Sequence, residues 1–385
     1  MKNKILKSIV LTFIVFILTS THSLYAKADT ATQASLSTDC KSALLMEAET
    51  GKVLYSKNQD QALPPASVTK IMTLLIVMEA IEEGRISYDD TVVASENACS
   101  MGGSQIYLEQ GEKMSVEDLL KSVIIASAND AAVALAEHVA GTEEAFVKAM
   151  NDKTKELGMK NTCFENTNGL DDTTQNHLTS AMDIAIMSRE LIKHKKITEY
   201  SSIWMDTIRN GAFGLTNTNR LVKYYEGATG LKTGSTSKAG FCISATATRK
   251  GMTLIAVIMG APSRDARNSS AVALLNYGFS NFTLYRNQPY CSSMTVIKGN
   301  HSQCKIQEDR FTAVVSKKDL PKIAREITID IGVSAPLDKG TQIGMATYTV
   351  DGEIIGSAKI RAMDTIKRIS FIDVVIRLLS RVCFC

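Results

Sequence analysis

Ser67 and Lys70 stand three residues apart in Ser67-Val68-Thr69-Lys70, so on a helix both side chains project from one face about one turn apart. A hydroxyl and an amine so placed suit a nucleophile and its base. Serine is a poor nucleophile at neutral pH until a neighbour takes its proton, and a buried lysine flanked by another cation can have its pKa lowered enough to take it. The pattern alone is weak: it arises roughly once or twice by chance in such a length on ordinary residue usage, and Ser235-Thr236-Ser237-Lys238 repeats it. Context favours Ser67. The residues after it read as a buried helix in which a first-turn lysine is anomalous, whereas the run around Ser235 is polar and loop-like. Ser67 also suits a helix N-cap, and both roles are compatible.

Ser127-Ala128-Asn129 offers a second hydroxyl and an amide that can relay protons and hold a substrate carbonyl or amide. Ser95-Glu96-Asn97 matches the same pattern, and such pairs often only make turns. Lys232-Thr233-Gly234 occurs once, ahead of an expected strand. There glycine lets a ligand approach the backbone, lysine offers charge to a carboxylate, and threonine adds a hydroxyl. Its plainer alternative is an edge strand guarded by lysine.

Periodicity supplies the elements that must position these groups. Apolar runs at 43–46 and 52–55 flank Glu49-Thr50-Gly51 as a β-hairpin. Residues 67–82 follow Pro64-Pro65 as a buried helix. Further helices are expected at 116–126, 130–140, 142–157 and 180–194, with a polar loop over 158–176. Runs at 241–248 and 252–259 form a second hairpin, followed by a helix over 266–277. Two hairpins enclosing a helical middle make an α+β domain whose strands share one sheet, here residues 41–281. Short β-type runs at 313–315, 327–331, 344–350 and 353–355 indicate a small β-rich domain over 288–362.

Residues 365–382 form an amphipathic helix, with Ile369, Ile372, Val375, Ile376, Leu378, Leu379 and Val382 on one side and Lys367, Arg377 and Arg381 on the other. Such a helix docks on its own domain or lies on a membrane surface. The terminal position and the basic polar face favour the membrane.

Lys2, Lys4 and Lys7 precede an apolar stretch over 9–18, then Ala26-Lys27-Ala28, which reads as a secretory signal over 1–28 followed by a polar leader over 29–40. The apolar stretch is about half the roughly 20 residues a membrane span needs. The expected place of work is therefore outside the cytoplasm, on the outer face of the membrane. Of 43 basic residues four lie in the signal, leaving 39 against 40 acidic ones. So neutral a chain has no global field for nucleic acid, and none is expected as a partner. The 385 residues, 45% hydrophobic and 22% charged, exclude collagen-like and disordered readings. The eight cysteines are scattered without a CxxC, so no specific pairing is expected. The five histidines are dispersed without an HExxH, so no metal or cofactor is expected.

The three motifs, in this order and separated by 60 and 105 residues, are much stronger together. With them the chain resembles the penicillin-binding serine D-alanyl-D-alanine carboxypeptidases. The resemblance includes Pro65-Ala66-Ser67-Val68-Thr69-Lys70-Ile71-Met72-Thr73, Val116-Glu117-Asp118-Leu119-Leu120, Ser127-Ala128-Asn129-Asp130-Ala131-Ala132, Asn168-Gly169-Leu170-Asp171-Asp172 and Gly230-Leu231-Lys232-Thr233-Gly234. Ser334-Ala335-Pro336 with Lys339-Gly340 is similar to the family's accessory β domain, and the amphipathic end to its anchor.

The fold so implied is a penicillin-binding, β-lactamase-like transpeptidase domain, an antiparallel sheet with a helical subdomain, before a small all-β domain. The implied ligands are peptidoglycan stem peptides ending in D-Ala-D-Ala, and β-lactam antibiotics. By position, Ser67 would attack, Lys70 accept its proton and Ser127 carry a proton to the leaving D-alanine. Asn129 would hold the substrate amide, and Lys232, Thr233 and Arg267 its carboxylate. The backbone N–H groups of Ser67 and Ser235, beside Gly234, would form the oxyanion hole. Ala128 stands where glycine is frequent in the family, and Ser235 where some members have histidine; neither removes a catalytic group. A serine β-lactamase would need a Glu-x-x-Leu-Asn loop, and the nearest stretch, Glu165-Asn166-Thr167-Asn168-Gly169, lacks that order. A receptor that acylates once, and a transpeptidase using an amine in place of water, are the other rivals.

Overall fold

The computed structural model describes residues 36–172 and 174–383. The expected signal over 1–28, most of the leader and the final Phe384-Cys385 lie outside them. Strands β1 (Ser42–Glu47) and β2 (Val53–Lys57) pair antiparallel. Their turn closes on the buried Glu47 carboxylate, which accepts the N–H groups of Glu49 and Thr50 at 2.9 and 2.7 Å. With β3 (Ala228–Thr236), β4 (Gly240–Arg249) and β5 (Met252–Ala261) they form one sheet of order β2-β1-β5-β4-β3, antiparallel throughout. The two hairpins at the ends of the domain thus share a sheet, as their sequence positions imply.

Strand alternation sends side chains to both faces of that sheet. Leu44, Met46, Ile255, Val257 and Met259 enter the main core together with α1 (Lys70–Glu82) and α5 (Ala181–Leu191). Leu45 and Leu254 point the other way, against α7 (Arg264–Asn281), which crosses at Gly278, where a Cβ would stand 2.4 Å from Leu254 Cδ1. The helical middle holds α2 (Val116–Lys121), α3 (Asn129–Ala140) and α4 (Glu143–Glu156), with α6 (Lys195–Ser201) following α5. Ser115, Thr142, Ser180 and Ser263 cap α2, α4, α5 and α7 by accepting a backbone N–H from the first turn.

Three expectations near the site are corrected. The helix expected from Ser67 begins at Lys70, preceded by a 3₁₀ turn over Ala66–Thr69 in which Ser67 caps nothing; Ala66, at φ 49°, turns the chain after the prolines. The helix expected over 116–126 is α-helical only to Lys121 and then widens into a π turn, Ser122–Ala126. Lys232, Thr233 and Gly234 do not precede a strand but lie inside β3, which continues through the supposedly loop-like Ser235 and Thr236. Pairing of Ser235 with Phe241 and of Thr236 with Gly240 holds this polar run extended. β3 is an edge strand, yet Lys232 is 1% exposed, so it does not guard that edge toward solvent.

Beyond α7, β6 (Phe282–Arg286) pairs with β9 (Thr312–Ser316). A second sheet joins β7 (Cys291–Thr295), β8 (Gln303–Glu308), β12 (Glu353–Ala362), β11 (Gln342–Val350) and β10 (Ile323–Ile329), in that spatial order. Its core contains Val296, Ile306, Ile343, Ile360 and Ile366. Ile366 exchanges backbone hydrogen bonds with Leu337, so residues 365–370 belong to the β domain and the last helix, α8, spans Phe371–Cys383 rather than 365–382. Lys367 therefore lies outside the helix. Phe371, Ile372, Ile376 and Leu379 on α8 are each at least 58% exposed. No helix among the described residues is long and apolar enough to cross a membrane.

Candidate active site

The site lies where the start of α1, the end of the π turn and β3 converge. The π turn carries the Ser127 N–H to Ser122 O and leaves Ser127 in the left-handed region at φ 65°, its hydroxyl aimed inward with 4% of the residue exposed. Single π turns of this kind are frequent at functional sites. Ala128 then leads into α3, whose first residue, Asn129, receives Lys70 on its Oδ1.

Lys70 is fully buried, and its Nζ has three partners: Ser67 Oγ at 2.9 Å, Asn129 Oδ1 at 2.5 Å and the Asn168 carbonyl oxygen at 2.7 Å. Two of these, the amide and the peptide oxygen, only accept. Burial and then the neighbouring Lys232 push the Lys70 pKa well below the usual lysine range, against the opposing pull of Asp130. A neutral amine has two N–H groups and one lone pair. In that form the two acceptor oxygens would take the N–H groups and the lone pair would face the Ser67 hydroxyl. That arrangement can withdraw a proton from serine without a histidine.

Lys232 donates to Ser127 Oγ at 2.8 Å and to Thr233 O at 2.9 Å, and burial followed by the charge of Arg267 pushes its pKa down to about 7. Arg267, 3% exposed, donates through Nε and Nη2 to Asn268 Oδ1; burial lowers its pKa to about 10, so it stays charged at neutral pH. Thr233 donates its hydroxyl proton to Thr218 Oγ1 at 2.8 Å. Gly234 is pressed against the 3₁₀ turn that carries Ser67: a Cβ there would be 2.7 Å from Ser67 N and 2.9 Å from Pro65 O. Ser235 is exposed at the rim.

Two surface segments complete the walls. The buried Asp130 carboxylate accepts the N–H groups of Ile106 and Leu108 at 3.1 Å each and so fixes the segment whose Gly102 O accepts from Asn129 Nδ2 at 2.6 Å. On the other side the loop 158–176 brings Asn168 O to Lys70, and Asp171 accepts from the Thr236 hydroxyl on β3. No group of three or more His, Cys, Asp or Glu residues among the described residues is placed to hold a metal ion.

The structure thus gathers Ser67, Lys70 and Asn129 in one hydrogen-bonded group, and Ser127, Lys232 and Thr233 in a second. Ser127 is bonded to Lys232, and Asn129 already bonds Lys70 and Gly102. Sequence reasoning did not single out the Asn168 carbonyl, Thr218 or Asp130 as parts of the site. Backbone oxygens carry no residue-type signal. For Asn168 the available cue was the following Gly169, which sits at φ +87° and leaves no room for a Cβ.

The architecture is that of the penicillin-binding, transpeptidase-like proteins, an α+β domain followed by an all-β domain. The family model for D-alanyl-D-alanine carboxypeptidases matches residues 27–263, and that for the C-terminal domain of penicillin-binding protein 5 matches residues 279–368. The D-alanyl-D-alanine carboxypeptidase DacF of Bacillus subtilis is 42% identical over 366 residues, covering 93% of this chain and 94% of the relative. The crystal structure of penicillin binding protein 5 from Haemophilus influenzae superposes with a TM-score of 0.77 at 32% identity, covering 86% of this chain and 98% of that one. Penicillin-Binding Protein D2 from Listeria monocytogenes, in its ampicillin-bound form, superposes with a TM-score of 0.59 at 32% identity over 63% of this chain and 99% of that one. The chain belongs to the D-alanyl-D-alanine carboxypeptidase family. It is a serine-type hydrolase of the penicillin-binding class, a family that binds peptidoglycan peptides and β-lactams and acts outside the cytoplasm.

Proposed function

We propose that Ser67 is the nucleophile of this carboxypeptidase and Lys70 its base. The observation that carries this reading is the buried Lys70 amine, 2.9 Å from Ser67 Oγ with Asn129 Oδ1 and the Asn168 carbonyl as acceptor-only partners, which in the neutral amine would leave the lone pair to the Ser67 hydroxyl. Ser67 Oγ attacks the carbonyl carbon between the two terminal D-alanines while its proton passes to Lys70 Nζ. The C–N bond then breaks as Ser127 gives its hydroxyl proton to the departing D-alanine and regains one from Lys70, which returns that amine to its neutral form; water then attacks the ester, and its proton returns to Ser67 Oγ as the shortened peptide leaves. Lys232, Thr233 and Arg267 attract the terminal carboxylate, Asn129 holds the amide side, and the N–H groups of Ser67 and Ser235 receive the oxyanion next to Gly234. Trimming stem pentapeptides in this way limits cross-linking of the wall.

The same reading divides the chain into a signal over 1–28, a leader over 29–40, a catalytic domain over 41–281, an accessory β domain over 288–362 and a terminal membrane helix. The exposed apolar side chains of α8 suit an interfacial anchor on the outer face of the cytoplasmic membrane. Incubation of the purified protein with diacetyl-Lys-D-Ala-D-Ala should release D-alanine steadily, and penicillin should label Ser67 on mass-spectrometric mapping. Label without release would replace the hydrolase by a receptor or a transpeptidase lacking its acceptor.

A further inference from the structure

His177 is 3% exposed and lies at the end of the loop 158–176, against the nucleophile turn. Its Nδ1 accepts the Glu165 N–H at 3.0 Å, which fixes the tautomer: Nδ1 carries no proton and Nε2 does. Nε2 stands 2.7 Å from Thr69 Oγ1, so the ring donates to that hydroxyl. Thr69 in turn donates to Ala66 O at 2.9 Å. Ala66 is the positive-φ residue immediately before Ser67, and the peptide between them carries the Ser67 N–H. Gly169 closes the arrangement from the same loop, since a Cβ there would fall 1.9 Å from Ala66 O.

We propose that His177 is a positioning residue for the acyl-transfer step, acting through Thr69 on the Ala66 carbonyl to fix the peptide that leads into Ser67. The inference rests on the reading of Ser67 as nucleophile. Its logic is geometric. A residue at φ 49° without glycine's freedom is strained and is held only when its surroundings over-determine it. The carbonyl of Ala66 is the handle, Thr69 grips it, and the imidazole keeps the Thr69 hydroxyl pointed at it by occupying that hydroxyl's acceptor side. The same imidazole anchors Glu165 and so the start of the segment that delivers Asn168 O to Lys70. One buried ring therefore coordinates the nucleophile's backbone with the base's hydrogen-bonding partner, without touching substrate.

The test separates the two hydrogen bonds of the ring. Penicillin acylation is resolved into a binding step and an acylation rate constant for the full-length protein and for Thr69→Val, Thr69→Ser, His177→Asn and His177→Gln, with the labelled residue mapped each time. Asparagine can keep the acceptor for Glu165 but cannot reach Thr69; glutamine can reach Thr69 with a donor. Thr69→Val and His177→Asn should slow acylation by about tenfold or more with binding changed by less than about twofold, because misplacement of a reacting group acts on the chemical step. Thr69→Ser and His177→Gln should recover most of the rate. Folded Thr69→Val protein labelled on Ser67 at the native rate would overturn the proposal and leave the nucleophile standing. So would equal loss in all four variants, which signifies packing. Label on another residue of the native protein would overturn the nucleophile reading itself. Should His177→Asn fail to fold, the Thr69 pair decides.

Discussion

At Gly234 the missing side chain is what lets β3 lie against the turn that carries Ser67. A methyl there would meet the Ser67 amide nitrogen and the Pro65 carbonyl, both rigid backbone. Gly234→Ala should therefore slow penicillin acylation on the order of 10²-fold, as expected for a small misplacement at a reacting centre, with far-UV circular dichroism unchanged. Lys232 makes a different prediction. Its pKa, pushed down to about 7, means that its charge fades as pH rises through neutrality, while Arg267, at about 10, keeps its own. The KM for a D-Ala-D-Ala peptide should rise as pH increases above about 7 with kcat less affected, and Lys232→Arg, which stays charged, should remove that rise. A KM flat from pH 6 to 9 in the native protein would remove Lys232 from carboxylate recognition. The grouping of Ser67 with Lys70 and of Ser127 with Lys232 was legible in the sequence because it resides in side-chain type and spacing. Asn168 was not legible as a partner of Lys70, since it contributes a peptide oxygen that any residue could present.

The element with most influence on the site is the loop 158–176 with His177 at its end. Burial holds the His177 pKa down at about 4, against the opposing charges of Glu165 and Asp171 and with a smaller push from Lys70 in the same direction as burial. The folded state thus binds fewer protons than the unfolded chain between pH 4 and 6.5. The stability that a neutral His177 contributes is complete above the unfolded pKa and is lost as pH falls through that window, by at most about 3 kcal/mol. Urea unfolding of native protein and His177→Gln between pH 4 and 7 should show a slope in the former that the latter lacks; parallel curves would assign the acid sensitivity elsewhere. Much at this scale followed from pattern: the two hairpins and the buried run of α1. The exceptions have physical causes. The π turn over Ser122–Ala126 keeps the apolar residues of a helix and so looks like one, and the polar end of β3 is extended only because β4 pairs with it.

Across the whole molecule, the catalytic and β domains are tied together by side chains from the first hairpin and from α7's neighbours. Lys52 donates to Val314 O at 3.1 Å, Arg286 pairs with Glu49, and Lys317 donates to Phe279 O at 2.6 Å. α8 stands apart from this network, with Phe371, Ile372, Ile376 and Leu379 exposed. Removing residues 371–385 should release the protein from membranes and leave peptide hydrolysis within about twofold, since no described side chain of α8 lies at the site; continued sedimentation with membranes would eliminate the anchor. A cut at 365 would be a poorer experiment, because Ile366 is part of the β-domain core. The depth at which Lys70 and Lys232 are buried, 0% and 1% exposed, reaches further. Ions in solution screen charges they can surround, with a Debye length of roughly 8 Å at physiological ionic strength, and they cannot surround these. Added salt should then weaken any attraction between the basic residues of the C-terminal sequence and anionic lipid while barely changing recognition of the peptide carboxylate, so that ionic strength would tune how firmly the enzyme holds a membrane without altering what it cuts.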